Sequence, residues 1–416
     1  MAQACGVDFG TSNSTVGWSR PGQPALLALE DGKPTLPSAV FFNADDDSVH
    51  YGRAALAEYL EGYEGRLMRS LKSLLGTSLI EGQTEVAGRA LPFRQLLSQF
   101  IGELKRRAER EAGRGFRQAV FGRPVFFVDG DPDADRLAED TLSGIARAVG
   151  FEEIGFQYEP IAAAFDYESR IEREELVLVA DIGGGTSDFS LVRLAPERAA
   201  RVERRDDILA SGGVHIGGTD FDKYLNLAAA MPLLGYGSML LSGAQVPSSY
   251  YFNLATWHTI NQAYTRKSIA QLDELVRDAA EPAKLQRLRR LVEERAGHWL
   301  AMRMEEGKIA LSTNATVELD LDRLDPAAVL TVTRAQFDEA AAGLVDSVAA
   351  TVATLLAEAA VRPEQVDTIF FTGGSSGVAS LRARIAALLP DARKVEGDLF
   401  GSIGAGLALD AARRFG

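Results

Sequence analysis

The stretch ELVLVADIGGGTSDFSLVRL, residues 175–194, decides the fold, because its apolar run ends in an aspartate and a glycine-rich turn before a second apolar run. The N-terminal stretch ACGVDFGTSNSTVGWS, residues 4–19, has the same order of features. Two strand–turn–strand patterns of one type indicate an internal duplication. A third glycine-rich turn follows the apolar run in VDTIFFTGGSS, residues 366–376. The sequence therefore predicts an α/β protein with a repeated unit.

The two hairpin turns have the chemistry of a nucleoside triphosphate site. Glycine lets backbone N–H groups approach phosphate oxygens closely. The hydroxyl groups of Thr11, Ser12 and Thr186 can donate hydrogen bonds to phosphate. Asp8 and Asp181 would repel bare phosphate, so we expect them to face Mg²⁺, which is typically held by one or two carboxylates and substrate phosphates. The Walker A and GxGxxG patterns do not occur, which excludes a P-loop or Rossmann site on pattern.

Composition excludes several classes of protein. The 416 residues, 46% hydrophobic and 25% charged, are typical of a globular chain. A net charge of −14 argues against nucleic acid or an anionic membrane as partner. The single cysteine, Cys5, excludes an intramolecular disulfide and favours a reducing compartment. Because the sequence shows no signal-peptide pattern and no run of 18 apolar residues, we expect a cytoplasmic protein without a membrane span.

Several motifs together resemble one family. GVDFGTSNS, ADIGGGTSDFSL, HIGGTDFD and FFTGGSSG resemble, in chain order, the phosphate and adenosine motifs of the actin-like ATPases. The connecting segments PSAVFF, SLKSLLG, QYEPIAAAFDY and DLFGSIGAGLA resemble the DnaK-type 70-kDa heat-shock chaperones, and the resemblance covers essentially the whole chain. It implies an α/β fold of the actin-like ATPase type, with two lobes of duplicated ribonuclease-H-like βββαβα topology around a nucleotide cleft.

The resemblance also implies a division of the chain. Lobe I is predicted at residues 1–174, with an inserted subdomain at about 43–118. Lobe II is predicted at residues 175–365, with an inserted subdomain at about 223–313. Residues 366–416 are expected to return to the adenosine site and end in a closing helix. We expect no peptide-binding domain, and in this the chain resembles the YegD-type branch of the family.

Catalytic and metal roles follow from the resemblance residue by residue. Lys72, in SLKSLLG, matches the lysine that stabilises charge on the γ-phosphoryl group. Glu159, in QYEPIAAA, matches the glutamate of the catalytic site. The predicted catalytic residues are Lys72, Glu159, Asp181 and Thr186, and the residues predicted to lie near Mg²⁺ are Asp8, Asp181 and Asp188.

The predicted nucleotide-binding residues follow the glycine-rich turns and the adenosine segment EEGKIALS. They are Gly10, Thr11, Ser12, Asn13, Gly183, Gly184, Gly185, Thr186, Gly217, Gly218, Glu305, Lys308, Ser312, Gly373, Gly374, Ser375 and Asp398. The adenosine side departs from the family, because Ile309 and Gly377 stand where relatives carry two arginines that sandwich adenine. We therefore expect phosphate binding with weak selectivity for the base.

The resemblance implies an ATP-binding, slowly ATP-hydrolysing, chaperone-like switch in which the nucleotide, ATP or ADP with Mg²⁺, controls lobe closure. One alternative is a small-molecule kinase of the same superfamily. That reaction needs a catalytic aspartate presented to a hydroxyl substrate, whereas this site offers Lys72 and Glu159. The other alternative is a non-hydrolysing or polymerising actin-like scaffold.

An aromatic segment, residues 232–265, is the candidate partner surface. Its rings are Tyr250, Tyr251, Phe252, Trp257 and Tyr264. Aromatic residues are enriched at interface hot spots, so the segment favours contact with a client or co-chaperone protein. The alternative is that the rings pack a small core of the segment itself.

Away from these motifs, periodicity predicts three local elements. The run LLALE at 26–30 is predicted as a strand, residues 67–75 as a short helix, and residues 283–311 as one helix after a break near Pro282.

Overall fold

The structure is a computed structural model that describes residues 4–86, 88–128, 130–257, 259–326, 328–398 and 401–416. The chain divides into two compact units. Unit 1 comprises Met1–Gly213, Val352–Ser376 and Ala386–Gly416, and unit 2 comprises Val214–Thr351 and Gly377–Ile385.

The strands of the described residues are labelled in chain order. They are β1 (Ala4–Asp8), β2 (Asn13–Gly17), β3 (Thr35–Pro37), β4 (Ala39–Asn43), β5 (Val49–Tyr51), β6 (Gly65–Arg69), β7 (Gln83–Val86), β8 (Arg89–Pro92), β9 (Gln118–Arg123), β10 (Glu153–Tyr158), β11 (Glu175–Ile182), β12 (Ser187–Leu194), β13 (Ile208–Val214), β14 (Thr316–Asp320), β15 (Val329–Thr333), β16 (Thr368–Thr372) and β17 (Arg393–Glu396).

The α-helices are labelled in the same way. They are α1 (Arg53–Glu61), α2 (Phe93–Ala112), α3 (Pro132–Ala148), α4 (Glu159–Glu168), α5 (Gly218–Ala229), α6 (Ser249–Ala255), α7 (Arg266–Asp278), α8 (Pro282–Glu293), α9 (Gly297–Leu311), α10 (Arg334–Glu358), α11 (Ala379–Leu388) and α12 (Ser402–Phe415).

Two five-stranded sheets in unit 1 have corresponding strand orders. The first sheet runs β10-β9-β1-β2-β3, and the second runs β17-β16-β11-β12-β13. In the first sheet β1 pairs antiparallel with β2 and parallel with β9, and in the second β11 pairs antiparallel with β12 and parallel with β16. Along the chain, α2 precedes β9, α3 joins β9 to β10 and α4 follows, while α10, α11 and α12 hold the same places around β16 and β17. The predicted duplication of a βββαβα unit is confirmed.

The central strand of the second sheet shows why its sequence is so apolar. β11 has a strand on each side and is covered on both faces, so its side chains have no solvent face. Val177, Leu178, Val179 and Ala180 are each at most 1% exposed. This burial positions Asp181 at the strand's carboxyl end.

Small residues allow α12 to lie close to β1 and α4. A Cβ built on Gly6 of β1 would lie 2.3 Å from the backbone nitrogen of Ala408. A Cβ built on Gly406 of α12 would lie 1.8 Å from the carbonyl oxygen of Ala162 in α4. The backbones therefore approach more closely than side chains at these positions would permit.

Unit 2 is largely helical. Its α5 packs against α9, and the ring of Phe221 in α5 lies 6.2 Å from that of Phe337 in α10. By length and composition alone, α10 is apolar enough to cross a membrane. A core helix of a soluble protein passes the same test. Phe337 of α10 packs against Phe221 of α5.

Three local predictions are wrong, each because tertiary contacts or backbone geometry prevailed over periodicity. Residues 26–30 form only isolated bridges. Within 67–75 the chain forms the end of β6, paired with β4, and then a 3₁₀ turn at Leu71–Leu74. The segment 283–311 divides into α8 and α9, because Arg295 adopts a left-handed φ of 51°. The predicted lobe boundaries and inserted subdomains stay predictions.

Candidate phosphate-binding site

The structure brings the two predicted phosphate turns together within unit 1. β1 ends at Asp8, and Asp181 lies one residue from the end of β11. In the second turn, the Gly183 N–H donates to the Thr186 carbonyl over 2.9 Å. A Cβ built on Gly184 would lie only 2.1 Å from Ser12 Oγ in the first turn. The turn at 183–186 therefore touches the turn at 10–13, as a shared phosphate site requires.

The third glycine-rich turn reaches the same place. β16 runs parallel to β11 with Thr372 opposite Asp181, so both carboxyl ends lie at one edge of the sheet. Gly373 follows with a φ of +81°, and a Cβ built there would lie 2.4 Å from Asp181 Oδ1. This position requires glycine for its conformation and for its close approach to Asp181.

An ion pair joins the two predicted catalytic residues of opposite charge. Lys72 lies in the 3₁₀ turn Leu71–Leu74, and Glu159 is the first residue of α4, immediately before Pro160. Lys72 Nζ lies 2.5 Å from Glu159 Oε1, and the two side chains are only 11% and 14% exposed. Burial lowers the pKa of Lys72, but the charges of Glu159 and Asp8 outweigh it and leave the pKa raised. Lys72 is therefore a cation at neutral pH.

The two nearby aspartates ionise less readily than an aspartate in water. Burial and the charge of Glu159 raise the pKa of Asp8 to about 7, although Lys72 opposes the shift. Burial and the charges of Asp188, Glu159 and Asp8 raise the pKa of Asp181 to about 8. A bound cation would lower the pKa of both carboxyl groups, because it stabilises their ionised form.

The donor set fits Mg²⁺ held partly by phosphate and water. Thr186 Oγ1 donates to Asp188 Oδ2 over 2.7 Å, so these two side chains lie together at the second turn. Across the ranges that the structure describes, no three His, Cys, Asp or Glu side chains converge as direct ligands. Mg²⁺ commonly keeps several waters, so a few carboxylates beside phosphate suffice for it. The metal roles of Asp8, Asp181 and Asp188 stay predictions.

Within unit 2, Gly217, Gly218 and Lys308 lie together. Lys308 Nζ lies 2.8 Å from Asp222 Oδ1 and donates to the Gly218 carbonyl over 3.1 Å, which links α9 to the start of α5. The Gly217 N–H donates to the carboxylate of Asp220, which caps α5. This capping explains the spacing of GGTD without any ligand.

The other adenosine-side residues of unit 2 are on α9 or directly after it. Glu305 and Ile309 are exposed, Ile309 by 59%. A Cβ built on Gly377 would lie 3.6 Å from Ser312 Oγ, an ordinary contact distance. The position of Gly377 therefore has room for a Cβ atom.

The remaining predicted binding residues lie in unit 1. Ser375 is buried in the 3₁₀ turn Gly374–Gly377. The Asp398 carbonyl accepts hydrogen bonds from the N–H and hydroxyl groups of Ser402, so Asp398 supports the start of α12. Their nucleotide roles stay predictions. One residue at the site was missed by the sequence analysis: Ser38, which lies in PSAVFF, contacts the first turn.

The duplicated sheets and the turns at their strand ends define a fold of the actin-like ATPase type. The sequence model of one family, described as Hsp70 protein, matches residues 4–230 and 272–410. The chain therefore belongs to the Hsp70 family, and at that level it is an ATP-binding protein of the chaperone type, similar to DnaK.

The match leaves out residues 231–271, which contain the aromatic segment. Tyr251 is fully buried, and its hydroxyl donates to the Leu234 carbonyl over 3.1 Å. The ring of Trp257 lies 4.7 Å from that of His298. Phe252, by contrast, is 41% exposed. The rings thus form part of a local core, with the ring of Phe252 at the surface.

Proposed function

We propose that this chain binds ATP with Mg²⁺, hydrolyses it slowly, and couples the nucleotide state to closure of its two lobes. The observation that carries the proposal is the meeting of the two phosphate turns beside the Lys72–Glu159 pair and the two strand-end aspartates. One site holds hydrogen-bond donors for phosphate, the buried ammonium group of Lys72, and the carboxylate of Glu159, which can accept a proton. Phosphoryl transfer to water requires these groups together.

Each residue has a distinct task in this reaction. Backbone N–H groups of the turns at 10–13 and 183–186 bind phosphate oxygens. Lys72, charged at neutral pH, stabilises the negative charge on the γ-phosphoryl oxygens. Glu159 accepts a hydrogen bond from the attacking water and orients it. Mg²⁺, when bound near Asp8 and Asp181, supplies further charge neutralisation on the phosphates.

Single-turnover hydrolysis of ATP tests these roles. We expect Lys72→Ala, Asp181→Asn and Thr186→Val each to lower the rate by about 100-fold or more, because preorganised charge is lost. Each variant should still fold, because none of the three substitutions opens a core cavity. Lys72→Ala should lower the unfolding temperature, because it leaves the carboxylate of Glu159 without its partner. Lys284→Ala is the matched control, since Lys284 is a partly exposed lysine that also pairs with a glutamate, Glu281.

Wild-type turnover by all three variants would contradict the assignment of the site. The same assay separates the alternatives. Phosphate release without an added hydroxyl acceptor supports hydrolysis, whereas release only with an acceptor identifies a kinase. Light scattering that rises with protein concentration and nucleotide identifies a polymerising scaffold.

The finer assignments belong to the same proposal. A YegD-type member in a cytoplasmic, reducing compartment is supported by the unmatched segment 231–271 and by the buried thiol of Cys5. We propose that this segment contacts a client or co-chaperone, because Phe252 and Leu241 are 41% and 75% exposed.

A photo-cross-linking residue at Leu241 should then give protein adducts whose yield changes with ATP. The same residue at Leu79, an exposed leucine outside the segment, is the control. Identical adducts from both positions would exclude a partner surface at the segment.

A further inference from the structure

Ser38 holds the first phosphate turn through two hydrogen bonds to its backbone. It lies between β3 and β4 and is 2% exposed. Its hydroxyl donates to the Gly10 carbonyl over 2.7 Å, and its backbone N–H donates to the Ser12 carbonyl over 2.9 Å. Two carbonyl groups of one short turn are thus fixed by a single residue.

A second buried hydroxyl completes the arrangement. Ser14, in β2, is fully buried, and its Oγ lies 3.0 Å from Ser38 Oγ. A serine hydroxyl carries one proton, and the proton of Ser38 is directed at the Gly10 carbonyl. Ser14 must therefore donate to Ser38. The chain of donation runs from Ser14 through Ser38 to Gly10.

The Gly10 carbonyl belongs to the same peptide plane as the Thr11 N–H. In a trans peptide the C=O and N–H groups point in opposite directions. A hydrogen bond that draws the Gly10 carbonyl towards Ser38 therefore turns the Thr11 N–H away from Ser38. In the same turn, the hydroxyl of Ser12 lies beside Gly184 of the second turn.

We propose that Ser38 is a positioning residue for polyphosphate binding, acting through the Gly10–Thr11 peptide to hold the Thr11 N–H in place for a phosphate oxygen. This inference rests on the proposed function, because it assumes that the turn at 10–13 binds phosphate. Because Ser38 contacts the backbone of the turn, loss of its hydroxyl should weaken the binding of phosphate groups. The binding of the nucleoside should not change.

Calorimetry with the full chain tests the inference, using ATP, inorganic tripolyphosphate and adenosine as ligands in the presence of Mg²⁺. We expect Ser38→Ala to weaken ATP and tripolyphosphate binding by about 3- to 10-fold, as the loss of one hydrogen bond predicts. Adenosine affinity should not change. Ser38→Thr keeps the hydroxyl group and should restore most of the phosphate affinity.

Ser211→Ala is the matched control. Ser211 Oγ lies 3.1 Å from Ser190 Oγ and donates to the Phe189 carbonyl, so the variant removes an equivalent hydroxyl from the second sheet. It should leave ATP affinity at the wild-type value. If Ser38→Ala does not fold, Ser38→Cys, which has a similar size and a weaker donor, should show the same selective loss.

Unchanged tripolyphosphate affinity in a folded Ser38 variant would overturn the inference, as would equal losses for adenosine and ATP. In both cases a wild-type protein that binds and hydrolyses ATP leaves the proposed function standing. A wild type that binds neither ATP nor tripolyphosphate overturns the proposed function and this inference together.

Discussion

At the scale of single residues, Asp8 and Asp181 make stability depend on pH. Their pKa values are raised to about 7 and about 8, whereas an unfolded aspartate titrates near 4. At pH values between the unfolded and the folded pKa, the folded state binds more protons than the unfolded state. Without Mg²⁺, the two groups therefore stabilise the protein at low pH, and this contribution is lost as the pH rises through 7 to 8.

We expect the free energy of unfolding contributed by each group to fall by less than about 1.4 kcal/mol per pH unit up to its folded pKa. Urea denaturation at pH 6 and pH 8.5, without Mg²⁺, measures the difference. Asp181→Asn cannot ionise and should flatten the dependence. If the variant and the wild type lose the same stability over this range, the pKa of Asp181 is not raised.

The residue scale also shows what sequence can and cannot predict. Asp8 and Asp181 were predictable because each stands at the end of an apolar strand, beside glycine. Arg204 was not, since it forms a fully buried, two-pronged ion pair with Glu168, 36 positions away. Ser38 was missed for the same reason. A local sequence carries no sign of which distant polar group will meet it.

At the scale of elements, the contact between α12 and α4 is sensitive to a single methyl group. Gly406→Ala should destabilise the protein by about 2 kcal/mol or more, because the added Cβ meets the rigid backbone carbonyl of Ala162. Gly144→Ala in α3 is the matched control, with no atom within 4 Å of its added Cβ. It should stabilise the protein by about 0.5–1 kcal/mol, the ordinary gain of alanine over glycine in a helix.

Thermal and urea denaturation of both variants measures these differences. If Gly406→Ala proves as stable as Gly144→Ala, α12 does not lie so close to α4 in solution.

The next prediction concerns selectivity for the nucleotide base, to which Ile309 of α9 contributes. Each arginine stacked on adenine contributes about 0.5–2 kcal/mol, and this chain has Ile309 and Gly377 at the two positions. We expect ATP and GTP affinities within about tenfold of each other. Ile309→Arg and Gly377→Arg should each increase the preference for ATP, since Ile309 is exposed and Gly377 has room for a Cβ atom.

Calorimetric titration of ATP, GTP and CTP with Mg²⁺ decides the question. Strong rejection of GTP by the wild type would show that another residue recognises adenine. Lys72→Ala serves as control, because it should alter hydrolysis without altering the ratio of ATP to GTP affinity.

Elements were predictable in unequal degree. β1, β2, β11, β12 and β16 follow from their apolar runs, and the duplicated order follows from the repeated motif. β6 did not follow, because GRLMR becomes a strand only by pairing with β4, more than 20 residues earlier in the chain.

At the scale of the whole molecule, the proposed lobe closure can be followed with two fluorescent labels. Cys5 is 1% exposed and burial raises its pKa, so it should not react with maleimides. Cysteines introduced at Asp46 and Glu318, both exposed and in different predicted lobes, should report a change in energy transfer on adding ATP and Mg²⁺. The ATP must favour one state through contacts absent from the other.

Labels at Asp46 and Glu111, both in predicted lobe I, are the control and should show no change. Adenosine should leave both pairs unchanged. An unaltered signal from the Asp46–Glu318 pair at saturating ATP would contradict closure, even if ATP is hydrolysed.

The contact between β1 and α12 has a consequence for biosynthesis. Ala4 and Gly6 are covered by Leu407, Ala408 and Ala411, which the ribosome adds roughly 400 residues later. At ~5–20 residues per second, the first strand waits about 20–80 s for the helix that covers it. Throughout that interval the nascent chain exposes an apolar strand that is prone to aggregation. A member of a chaperone family thus itself needs protection until α12 has emerged from the ribosome.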